Sequence, residues 1–123
     1  MDANFKTEGM FVDPNLIAGN FPRVERKLTV LTNQVLIAGT VLALDDAGKA
    51  VPVDSASATS EIQTAVGILA HDVDTTGADG EAIVYYAGEF NEAALTWAGT
   101  DDADTHRDAL RPLGIYLTTN LGA

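Results

Sequence analysis

From Ala65 to Trp97 the chain reads AVGILAHDVDTTGADGEAIVYYAGEFNEAALTW: an apolar run, an acidic glycine turn, a second apolar run and a closing aromatic. β-branched and aromatic side chains suit a pleated surface, and Asp with Gly supplies the turn, so the pattern predicts two strands joined by a tight connection. Ile62–His71 and Glu81–Gly88 are the strongest strand signals, and the turn runs from Asp72 to Gly80. Tyr85 and Tyr86 are neighbours on one strand and must face opposite ways, so one of them is expected off the main core. Asn91–Leu95 suits a single helical turn before Trp97.

The sequence around this unit repeats the β theme in shorter pieces. Lys27–Leu31 alternates, with Leu28 and Val30 on one face, and Val35–Ala38 follows. Gly39–Leu44 runs into the turn Asp45-Asp46-Ala47-Gly48, with Lys49–Val53 returning as its hairpin partner and Pro52 marking an edge or an end. Asp54–Ser60 is built of small residues and predicts a flexible surface excursion. Asp101–Leu110 is the one convincing helix: Asp101, Asp102 and Asp104 lie at its positive end, Arg107 and Arg111 at its negative end, and Pro112 stops it. Leu113–Thr119 predicts a last strand. The fold class is mainly β (α+β), a small β domain with one or two short helices.

Ahead of this domain lies a segment of another kind. Phe5, Met10, Phe11, Val12, Leu16, Ile17 and Phe21 are scattered among Gly9, Asp13-Pro14-Asn15, Gly19-Asn20 and Pro22 without a helical or strand period. Breakers this dense predict an extended arm. Apolar side chains at that density need a surface to cover them, on the same domain or on a partner. The chain therefore divides into an arm over residues 1–25 and a single β-rich domain over residues 26–123. The expected contact residues are Phe5, Met10, Phe11, Val12, Leu16, Ile17, Phe21 and Arg23.

Charge follows the same division. Residues 1–27 hold four acids and four bases, whereas residues 28–106 hold thirteen acids against the single Lys49. With a net charge of −11, the body repels nucleic acid and anionic membranes, so neither is expected as a partner. There is no cysteine, which removes disulfides and thiolate chemistry and fits assembly inside a cell. The N-terminus lacks the pattern of a signal peptide, and no apolar run approaches the roughly 20 residues that span a bilayer, so a soluble, unsecreted protein is expected.

Candidate chemistry is sparse. Asp72, Asp74 and Gly77 match positions one, three and six of a calcium loop, but Thr76 stands at position five and Ile83 where a bidentate Glu is required, so a plain turn is the simpler assignment. His71 points away from Asp72 on a strand, and His106 is expected to be a solvated helix residue. Ser55, Ser57 and Ser60 have no nucleophile-elbow glycines around them. The acid pairs Asp45-Asp46 and Asp101-Asp102 fit a turn and a helix start. No catalytic residue, metal site or cofactor is expected.

The order of the pieces carries more than any one of them. Ala65-Val-Gly-Ile-Leu-Ala70, Tyr86-Ala-Gly88-Glu-Phe90, Leu95-Thr-Trp97, Arg107-Asp-Ala-Leu110 and Gly114-Ile115 resemble the lambda-type bacteriophage head decoration family, over roughly residues 26–119. Gly39-Thr-Val-Leu and Gly48-Lys-Ala-Val are similar to decoration proteins of other long-tailed phages. The turn at Asp72–Glu81 is longer than in the lambda-type pattern, and residues 1–25 do not obviously match it. The resemblance implies a homotrimeric cement protein on the outer surface of the virion, assembled in the host cytoplasm. Its trimers would bind the major capsid protein at threefold and quasi-threefold sites of the expanded head and hold it against DNA pressure. In that family the N-terminal arm adds to the capsid sheet, which suits an extended apolar arm. Other assignments left open are a tail or fibre accessory module and a calcium-stabilised β binding module.

Overall fold

A computed structural model of the chain describes residues 16–18 and 22–118. Their strands are β1 (Val24–Val30), β2 (Val35–Leu36), β3 (Val41–Leu44), β4 (Ala50–Pro52), β5 (Gly67–Leu69), β6 (Val73–Asp74), β7 (Gly80–Asn91) and β8 (Ile115–Thr118). One α-helix, α1 (Ala103–Leu110), lies between β7 and β8.

Five of these strands close into a ring in the order β1-β4-β3-β5-β7, and β7 pairs back on β1. The hairpin β3–β4 forms where expected, with Leu44 opposite Ala50. Asp45 holds its turn, its carboxylate accepting from the N–H groups of Ala47 and Lys49 at 2.9 Å. The seam is the long antiparallel pair β1–β7, from Val30 opposite Gly80 to Val24 opposite Ala87, with a bulge between Val24 and Glu25. A single parallel contact, Val30 with Ala50, completes the ring. Beyond the ring, the last four residues of β7 carry β8 in parallel, while β2 and β6 form a separate two-stranded piece.

Period-two alternation sorts the apolar side chains into two clusters. Val30, Leu42, Ala50, Leu69, Ala82 and Val84 come from all five ring strands and fill the inside. Two alanines among six suit so narrow a lumen. Their neighbours Val41, Ala43, Ile68 and Tyr85 point outward and form the second cluster with Phe90. That outer layer is roofed by Leu110 of α1, Ile115 and Leu117 of β8, and Leu16 from the arm. Tyr85 and Tyr86 do face opposite ways, but both are used: Tyr85 joins the outer cluster and Tyr86 packs against the inner one. Gly39 lets two layers meet. Its φ is +93°, and a Cβ there would lie 2.5 Å from the Ala94 carbonyl oxygen, so any other residue is both strained and obstructed.

Three local expectations are corrected. The segment Asp54–Ser60 is tied down rather than free: Ser55 bonds to Asp101, the Asp54 N–H donates to the Ile62 carbonyl, and Gln63 Nε2 donates to the Ser57 carbonyl. The helix starts at Ala103 with Asp102 as its cap, in a reciprocal capping box with Thr105. Pro112 does not stop the chain's turning; it sits in a short 3-10 turn, Arg111–Leu113, that ends at left-handed Gly114.

Candidate functional site

Leu16–Ala18 lie as a short antiparallel strap on the end of β7. The Ala18 N–H donates to the Glu89 carbonyl at 3.0 Å, and the Asn91 N–H donates to the Leu16 carbonyl at 2.8 Å. Between these bonds Ile17 stands opposite Phe90. The Leu16 side chain is fully buried in the outer cluster, which also holds Phe90, the largest fully buried side chain among the described residues. Burying one leucine is worth roughly 1.5–3 kcal/mol, comparable to both strap hydrogen bonds together at roughly 0.5–1.5 kcal/mol each.

The chain returns at Arg23, which crosses Gly88 of β7. A Cβ on Gly88 would come 3.0 Å from the Arg23 side chain and 2.8 Å from the Phe90 ring, so the glycine makes room for the crossing. Of the expected contact residues, Leu16, Ile17 and Arg23 are therefore gathered on β7 of their own domain. Phe5, Met10, Phe11, Val12 and Phe21 lie outside the described residues.

The acidic turn acts as a joint. Its three carboxylates diverge to separate partners: Asp72 accepts from the Ala38 N–H at 2.9 Å, Asp74 from the Thr76 hydroxyl at 2.7 Å, and Asp79 from the Thr32 N–H at 2.9 Å. Asp79 also pairs with Lys49 at 2.7 Å. The Thr76 hydroxyl and N–H hold the Asp74 carboxyl below the usual range, and Lys49 does the same for Asp79. Among the described residues no three His, Asp or Glu side chains converge as a metal site would require. Thr75 is the pivot that sequence reasoning missed. Buried at the centre of the turn, its hydroxyl donates to the Leu31 carbonyl at 2.6 Å and accepts from the Gln34 N–H at 2.9 Å. One threonine in an acidic loop carries no signal of such a role.

His106 is corrected most sharply. It is buried, not solvated: its ring stacks on Trp97 with centroids 5.4 Å apart, and its Nε2 lies 2.7 Å from Asp101 Oδ2. The Asp101 side chain is only 3% exposed. Burial pushes its carboxyl up, but bonds from the Ser55 hydroxyl, His106 and the Ser55 N–H outweigh that and hold it below the ordinary carboxylate value. Ser55, Asp101 and His106 thus bring together the residue types of a nucleophilic triad. The order is different, however. Ser55 Oγ donates to Asp101 rather than to the imidazole, which leaves the hydroxyl with no base to activate it. The cluster fastens the 54–60 loop to the start of α1. His71 is likewise structural, its Nε2 accepting from the Ile83 N–H at 3.0 Å.

Among the described residues the exposed large aliphatic side chains fall into two groups, and Tyr116 is exposed as well. Val35 and Ile37 border a groove whose floor includes Leu36, Pro52 and Trp97. Val24 and Leu113 lie elsewhere, beside Ala87 and Gly88: Val24 stands opposite Ala87, and the Gly88 N–H donates to the carbonyl of Gly114.

The family model described as bacteriophage lambda head decoration protein D matches residues 6–116. The match reaches back through most of the arm, well beyond the span of 26–119 over which the order of motifs is evident. No curated protein matches the chain.

Proposed function

The chain belongs to the bacteriophage lambda head decoration protein D family, a family of structural capsid proteins, and from that premise we propose that it works as a trimeric cement on the expanded phage head. Three copies sit at each threefold and quasi-threefold position, bridge neighbouring major capsid subunits on the outer surface, and stabilise the shell against the pressure of packaged DNA. The observation that carries this is the family match over residues 6–116, which takes in the arm as well as the β domain.

The arm divides into two parts. Leu16, Ile17 and Arg23 hold its root on β7, while Phe5, Met10, Phe11 and Val12, which precede the strap in sequence, and Phe21, which follows it, supply the capsid contact. An extended segment that adds to an exposed sheet edge gains affinity from main-chain hydrogen bonds and register from its apolar side chains. Three arms on one trimer act together, so each contact can be weak while the assembly holds. The acidic body, bearing thirteen of the eighteen acids within residues 28–106, then faces away from the shell.

The test is direct. Purified protein is mixed with expanded, undecorated shells of its phage and imaged. Density at threefold positions supports the proposal, and binding that ignores them sinks it. A chain lacking residues 1–15 keeps Leu16 and should fold but leave the shells bare. Full occupancy by that shortened chain would remove the arm from the mechanism.

A further inference from the structure

A threefold ring cannot be built from one self-complementary patch. Each copy must present two different surfaces, one of which seats on the other surface of its neighbour. The described surface carries two such groups on separate elements. One is the groove edge of Val35 and Ile37, 72% and 54% exposed; the other is Val24 and Leu113, 49% and 48% exposed.

Their charged surroundings are opposite in net sign. Asp74 stands opposite Val35 across the β2–β6 pair, and Asp72 accepts from the N–H next to Ile37. Both carboxylates are exposed, and neither forms an ion pair with a described cation. At the other group Arg23 precedes Val24, Glu25 follows it, Arg26 lies two residues on, and Arg111 begins the short turn that contains Leu113, so that three bases stand against one acid. The ion pairs of the described residues occupy Lys27, Lys49 and Arg107, which leaves these three guanidinium groups for a partner. Arg26 also covers the Tyr86 ring at 5.5 Å from its centroid. In a chain of net charge −11, three arginines near one apolar group and two aspartates near the other, none of them in an ion pair among the described residues, make a complementary pair.

We infer that the Val35/Ile37 groove receives the Val24/Leu113 edge of a second copy of this chain, head to tail, and that three such contacts close the ring. The inference rests on the trimeric reading above and names the two faces that make it. Apolar side chains fill the groove, and the Arg23, Arg26 and Arg111 side chains meet Asp72 and Asp74 at its rim.

The chain has no native cysteine, so paired thiols report the contact cleanly. The Val24→Cys/Ile37→Cys double variant is bound to expanded shells and treated with a short bismaleimide. Cross-linked species should end at three chains, and each single-cysteine variant should stay monomeric, because like faces do not meet. Both sites are half-exposed, and circular dichroism checks the fold. As a second measure, Ile37→Glu adds an acid to an already acidic rim and should lower shell occupancy at least tenfold at limiting protein. Threefold density without cross-links, or cross-links in the single variants, overturns the assignment of faces and leaves the trimer standing. Unchanged occupancy by Ile37→Glu overturns it as well. Density that is monomeric or away from the threefold axes overturns the trimer itself.

Discussion

The inner and outer apolar clusters occupy opposite faces of the same strands, yet they depend on the chain in different ways. The inner one is complete within the ring: every member lies between Val30 and Val84. The outer one is assembled from Leu16 at one end of the chain and Leu110, Ile115 and Leu117 near the other, around Tyr85 and Phe90 of β7. A small barrel is filled once its strands pair. Its outer face becomes a core only when the arm root, α1 and β8 fold back over it. The same layer that finishes the fold therefore also fixes where the arm leaves the domain.

That difference can be broken by substitution. Phe90→Ala should cost the most, about 3–5 kcal/mol in urea unfolding, because it empties the centre of the outer layer. Leu16→Ala should follow at about 2–5 kcal/mol, whereas removal of residues 1–15 should leave the unfolding midpoint where it was. Equal losses from these two changes would mean that the arm, rather than its root, belongs to the outer layer. Inside the ring the sensitivity runs the other way: Ala82→Leu overfills the lumen and should cost about 1–3 kcal/mol, with no cavity to relieve it. Asp102→Ala removes the cap of α1, a roofing element, and should cost about 0.5–2 kcal/mol.

The smallest effect is a pH dependence. The Asp101 carboxyl is held below its ordinary value of 3.8. A depressed carboxyl adds stability that is present above the unfolded value and is lost as pH falls through the folded one. Melting temperature should therefore drop between about pH 4 and the lower folded value. Asp74, Asp79 and Asp102 are also held low and titrate in the same range. The informative quantity is thus the difference from Asp101→Asn, whose acid limb should be shallower than that of the parent. Parallel limbs would show that the Ser55–Asp101–His106 cluster adds nothing to the outer layer.

The sequence discloses the inner layer better than the outer one. The β3–β4 hairpin is written in Asp45–Gly48, and β7 in a long run of strand-forming residues. Local pairings of this kind leave local signals. The β1–β7 seam joins residues fifty or more positions apart, and no periodicity announces it. Leu16 looks like one of several apolar residues in a breaker-rich arm, and only the tertiary fold marks it as a core residue. His106 looks solvated because its sequence neighbours are charged; Trp97 and Asp101, which bury it, come from the loop before the helix. Of the arm contacts, the sequence pattern distinguishes the segment but not the division of labour within it.

The strap on β7 has a mechanical meaning. Leu16–Ala18 run antiparallel to Glu89–Asn91, so a pull along the arm's axis loads both of their hydrogen bonds at once and drags Leu16 sideways out of its socket. Shear of that kind shares the force among contacts, whereas peeling would break them one at a time. The load passes next into β7, which is bonded along its length to β1, β5 and β8. A tension applied at the root of the arm is thus received by the most extensively braced strand in the molecule.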